Sequence, residues 1–150
     1  MDAIERLLAL EEIRLLRARY SQAIDAKRWS DLENILSPDA VLDLSPAAET
    51  LLSAGRVQTA AITGRTQILL YLEDRFRHST KRLHIATMPQ IEFEGSTRAK
   101  GVWRQETYIG EAVPDHQGTG IAYGFVHDEY RKIDGIWLIS SVKVTLDLIL

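Results

Sequence analysis

Between Asp2 and Asp25 apolar residues return every three or four positions. Ile13, Leu16, Tyr20, Ala23 and Ile24 make one stripe; Ile4, Leu8, Leu15 and Ala18 make a second on another side. The spacing predicts a helix over 2–25 that packs on a sheet and also on either a second helix or a partner subunit. A shorter helix is expected at 30–36, opened by an S-x-x-E capping box of Ser30 and Glu33 and stopped before Pro38. "AVLDL" (40–44) alternates as a strand. Residues 46–63 are less regular and read as a surface connection or a lid over a pocket. Periodicity then predicts a helix over 64–76, with Ile68, Leu69, Leu72 and Phe76 on one side.

From residue 82 the period changes to two. Strands are expected over 82–94, with Pro89 marking a bulge or an edge, and over 97–111, 121–132 and 136–148. The Asp134-Gly135 pair joins the last two as a tight hairpin. Helices followed by long antiparallel strands predict the α+β class. A strongly curved meander wrapped around the helices would leave a cavity between them.

At 150 residues with 45% hydrophobic and 26% charged side chains, the chain reads as a single soluble domain over 1–150. A net charge of −3 with scattered Lys and Arg argues against nucleic acid as a partner. The absence of cysteine excludes a disulfide framework, a thiolate nucleophile and a zinc–thiolate site. "MDAIERLLALEEIRLLRARY" interrupts its apolar residues with charges, unlike a signal peptide or a membrane span, so the expected location is the cytoplasm.

Asp25 stands out because its local setting does not account for it. It falls in the last turn of the first helix, against the helix dipole, and the next helix is already capped. Gln22, Ser21 and Ala18, one and two turns back, form a small, partly polar wall. In the 82–94 strand, His84 shares a face with Ala86 and Met88, a set that could line a pocket. An Asp and a His together can fix one imidazole tautomer and free the other nitrogen as a general base or acid. Among the other histidines, His78 follows a helix end, His116 lies in a polar turn, and His127 points away from the face of Asp128. The spacing of His, Asp and Glu matches no metal site, and "GTG" (118–120) lacks the helix start and Lys of a phosphate loop.

"RYSQAIDAKRWSDLENILSPDAVLDL", "HIATMPQIEFEG" and "EYRKIDGIWLISS" together resemble the SnoaL-like branch of the nuclear transport factor 2-like superfamily, which includes scytalone dehydratase. The resemblance implies a cone-shaped α+β barrel, its N-terminal helices packed in a strongly curved, mostly antiparallel sheet around a deep apolar cavity, and a homodimer or homotrimer. It implies that Asp25 and His84 are a catalytic pair. The dehydratase's two tyrosines fall on Ile24 and Leu44, its second histidine near Trp103, and its Ser and Asn near Gly124 and Val126, so those groups are replaced here. In a related dehydrochlorinase an arginine falls near Arg131 and Lys132.

The resulting expectation is a lyase or isomerase acting on a small, cyclic, largely apolar molecule without metal or organic cofactor. Asp25 and His84 would be its dyad, and Tyr20, Ile24, Leu44, Met88, Trp103, Val126 and Asp128 its substrate-facing residues. A non-catalytic module that binds a hydrophobic ligand or serves oligomerisation, and a structural subunit of an oxygenase, remain as alternatives.

Overall fold

In the computed structural model, which describes residues 1–47, 60–77, 82–109 and 120–149, the first amphipathic segment forms α1 (Ala3–Asp25). The expected connection over 46–63 lies mostly outside the described residues, as do His78, His116 and all but the last residue of "PDHQGTG". Asp2 caps α1: its carboxylate accepts from the Glu5 N–H at 2.8 Å, and the Glu5 carboxylate accepts from the Asp2 N–H at 2.8 Å. That reciprocal box satisfies two of the helix's free amides. The stripe of Ile13, Leu16, Tyr20, Ala23 and Ile24 is buried. The second stripe lies on the surface, with Ile4, Leu8 and Leu15 exposed.

The capping box expected at Ser30 and Glu33 does not form. Trp29–Asn34 is a single 3-10 helix whose N-cap, Arg28, makes no side-chain cap bond. The side chain of Asp31 is taken by Arg28 Nε at 2.7 Å, and the Ile35 carbonyl accepts from the Ile139 N–H at 2.9 Å. Sheet pairing thus reaches back into the predicted helix. Strand β1 (Leu36–Asp43) starts four residues before the "AVLDL" strand, at Leu36, and runs through Pro38. Pro38 lies in a register break between Leu36 and Val41, where a missing N–H costs no ladder bond.

The remaining elements are β2 (Ile62–Thr63), α2 (Arg65–Phe76), β3 (Arg82–Glu94), β4 (Arg98–Ile109), β5 (Gly120–Ile133) and β6 (Ile136–Ile149). They build one six-stranded sheet in the order β2-β1-β6-β5-β4-β3, antiparallel except where β1 runs parallel to β6. Asp134 (φ 50°) and Gly135 (φ 82°) form the β5–β6 turn, with both central residues left-handed. This curved, open α+β sheet wraps α1, which packs against β3 and β6, while α2 packs against β1. Trp103, Val126, Tyr130, Trp137, Ile139 and Val142 are among the sheet residues in the core.

Pro89 sits in the β3 bulge, between Thr87 and Gln90. One extra residue there shifts the alternation, so Arg82, His84 and Ala86 face inward before the bulge and Pro89, Ile91 and Phe93 after it. Met88, of inward parity by simple counting, takes a left-handed φ of 47° and is 68% exposed. It is therefore away from the cavity that the sequence pattern assigned it to.

Candidate active site

Asp25 is the last residue of α1, and β3 is the edge strand of the sheet. An edge amide has no strand to pair with on its open side. Asp25 fills that role for His84: its Oδ2 accepts the His84 backbone N–H at 2.9 Å, while its Oδ1 lies 2.5 Å from His84 Nδ1. One carboxylate therefore fixes both the main chain and the ring of the same residue. A carboxylate facing Nδ1 favours the ring form with its proton on that nitrogen, and in the neutral ring this leaves the Nε2 lone pair free. The two side chains are about one-sixth exposed, 16% for Asp25 and 14% for His84.

His84 lines a cavity of about 80 Å³. Its apolar walls come from Tyr20 and Ile24 of α1, Leu42 and Leu44 at the end of β1, Leu72 and Phe76 of α2, and Val142 and Val144 of β6. Of the sequence-predicted substrate residues, Tyr20, Ile24 and Leu44 thus lie on the same cavity as His84.

Trp103, Val126 and Asp128 lie behind that wall rather than on it. Val126 is fully buried in the core. The Trp103 indole N–H donates to the Tyr130 hydroxyl at 2.9 Å, and that hydroxyl donates to Asp128 Oδ2 at 2.7 Å. The indole N–H is thereby used inside the fold. Gly101 makes room for this chain, since a Cβ there would stand 3.1 Å from the Tyr130 ring. Arg131, placed near the dehydrochlorinase arginine, bonds Ser37 Oγ at 3.2 Å and Asp39 on the surface, and is not among the cavity residues.

Sequence reasoning missed Arg17 and Gln105, which with Ser21, already noted in the partly polar wall before Asp25, add polar residues to the cavity lining. Arg17 Nη1 donates to the Asp128 carboxylate at 3.3 and 3.4 Å, and Nη2 donates to Gln105 Oε1 at 2.8 Å. The guanidinium also stacks over the Tyr20 ring, 4.8 Å from its centroid. Burial raises the Asp128 carboxyl pKa, with Arg17 and the Tyr130 hydroxyl pulling the other way. Burial likewise pushes the Tyr20 phenol up to about 12. A signal was available: Arg17 stands four residues after Ile13 and three before Tyr20, a charge within the buried stripe. Among the described residues, no cluster of His, Asp and Glu could hold a metal ion, and no helix is long and apolar enough to cross a membrane.

The family model for the SnoaL-like domain matches residues 5–143 of this chain. Among solved structures, a candidate scytalone dehydratase from Novosphingobium aromaticivorans superposes with a TM-score of 0.82 at 17% identity, over 99% of this chain and 91% of that one. The hexachlorocyclohexane dehydrochlorinase LinA-type3 of Novosphingobium barchaimii gives 0.81 at 15% identity, over 99% and 93%. A protein from Kribbella flavida gives 0.72 at 20% identity, over 93% and 91%. At these identities the structural likeness establishes the fold.

Proposed function

The chain belongs to the SnoaL-like family of the nuclear transport factor 2-like superfamily, and from that premise we propose a small-molecule lyase or isomerase with His84, oriented by Asp25, as its general base. The observation that carries this reading is the double engagement of His84 by one carboxylate at the wall of an apolar cavity. His84 Nε2 takes a proton from the carbon beside a carbonyl, and the electron pair of that bond moves toward the carbonyl oxygen. Return of the proton at another carbon moves a double bond; departure of a β-substituent completes an elimination. Two structural neighbours bear the names of a dehydratase and a dehydrochlorinase, both eliminations, which supports the reaction class. The apolar walls favour a small, cyclic, largely apolar substrate. A positioned base of this kind contributes about 10²–10⁴-fold in rate.

The reading includes a cytoplasmic location and a homodimer or homotrimer, and the exposed apolar residues Ile4, Leu8 and Leu83 support the assembly. The test is exchange or elimination on a panel of small cyclic ketones in D2O, followed by proton NMR. The wild type should exchange or eliminate on at least one member, and His84→Ala and Asp25→Asn should each lower that rate by about 10²-fold or more. Full turnover in both variants would overturn the dyad. Binding with no exchange or elimination on any member would make the cavity a non-catalytic ligand site.

A further inference from the structure

Where α2 gives way to β3, a cation stands beside the cavity without a carboxylate partner among the described residues. Arg82 faces inward on β3, two residues or about 6.6 Å before His84. Its guanidinium lies over the Phe76 ring, 5.0 Å from the centroid, and Phe76 and His84 both line the cavity. Arg75 lies over the same ring at 5.9 Å. Two cations thus share one aromatic side chain at the cavity rim.

Arg75 sits in the last turn of α2, where a positive charge suits the helix dipole. That account does not reach Arg82, which lies on the strand. Among the described residues the Arg82 side chain forms no ion pair and donates no hydrogen bond. Of its nitrogens, only Nε is buried without a partner. Nη1 and Nη2, also without one there, therefore keep access to solvent and to a ligand. Burial, with Arg75 adding to it, pulls the guanidinium down to about 10, so it still carries its charge at neutral pH. A half-buried cation beside a second one opposes folding, and groups perturbed in this way gather at binding sites.

We propose that Arg82 binds a carboxylate of the substrate, which makes the substrate class a small ring carrying an acid group. This rests on the Asp25–His84 reading and adds to it the contact that sets the ring's position against the base. A planar guanidinium presents paired N–H donors to a carboxylate, a match of shape as well as charge. With the acid group held at the rim, the ring enters between Leu44, Leu72 and Phe76, and the carbon nearest His84 presents its proton to Nε2. Repulsion from Arg75 and Arg82 turns away a cationic substrate.

The test compares cyclohexanecarboxylate, its neutral counterpart cyclohexanecarboxamide and inorganic phosphate by ligand-observed NMR at low salt. The wild type should bind the carboxylate about tenfold or more tightly than the amide, the scale of a hydrogen bond to a charged group. That preference should shrink as salt is added. Arg82→Gln should bind carboxylate and amide equally, with amide affinity unchanged. Arg82→Lys, which keeps the charge without the planar fork, should retain part of the preference. Affinity reads the anion site and exchange in D2O reads the dyad, so a carboxylate preference in a protein that exchanges nothing supports the site while the dyad fails. A wild type that binds the amide as tightly as the carboxylate overturns the proposal, whether or not the variants fold. Arg82→Gln with its preference intact overturns it by placing the anion elsewhere. Phosphate that displaces the carboxylate at equal concentration overturns the assigned class.

Discussion

Asp25 and Asp128 each meet a nitrogen base that lines the same cavity, but in different surroundings. The Asp25–His84 pair joins a helix end to an edge strand, and both side chains touch solvent. The Asp128–Arg17 pair lies under the sheet, with side chains 0% and 3% exposed, tied to Tyr130, Trp103 and Gln105. An imidazole near solvent can gain and lose a proton at ordinary pH; a guanidinium cannot. In the proposed mechanism the first pair moves a proton, while the second ties α1 to β4 and β5 from within the fold. Two carboxylates thus hold two different residues of one cavity wall, His84 and Arg17.

The sharpest way to break that division is to remove one carboxylate at a time. Asp128→Ala leaves Arg17 buried without its counter-charge and should destabilise the fold by about 3–5 kcal/mol in urea unfolding. Asp25→Asn keeps an acceptor at a part-exposed site and should cost less than about 1.5 kcal/mol in the same measurement. Equal losses would erase the distinction. Replacing Arg17 and Asp128 together by Met and Leu should restore most of the stability lost in Asp128→Ala, since apolar substitution of a buried pair is often neutral.

A smaller, pH-dependent effect follows from Tyr20, whose phenol stays neutral up to about 12 in the fold against a usual 10.0. The folded state keeps this proton longer than the unfolded chain does. Its contribution is full below pH 10 and is lost as the pH rises from 10 to about 12. Urea midpoints across that range should fall less steeply in Tyr20→Phe than in the wild type. The smallest effect is expected at Leu8, exposed on the second stripe of α1. Leu8→Glu should change stability by no more than about 0.5 kcal/mol. A shift of sedimentation coefficient toward a smaller species would place that stripe at a subunit contact.

Where periodicity was unambiguous, the sequence carried the elements. The α1 stripe and the long strands fall within a few residues of their expected bounds, and Asp134-Gly135 forms its hairpin. Ser30 and Glu33 misled because a four-residue signature competes with pairing to β6, which draws Ile35 into the sheet. Met88 misled because parity holds only while the register does, and the Pro89 bulge shifts it. The meeting of Asp25 with His84 depends on how the sheet wraps α1, so no local pattern reveals it, and only the family resemblance brought the two together. Arg17 was visible as a charge inside an apolar stripe. Its partners, Gln105 and Asp128, sit on β4 and β5 and could be placed only once the strands were in register.

The dyad can be tested without a substrate. Nitrogen-15 and proton NMR of His84 should show the tautomer with Nδ1 protonated, Nε2 bare, and an Nδ1 proton shifted far downfield by the short contact to Asp25. In Asp25→Asn that resonance should disappear. An Nε2-protonated ring in the wild type, with Nδ1 bare toward Asp25, would contradict the account, because the nitrogen required to accept the substrate's proton would already hold one.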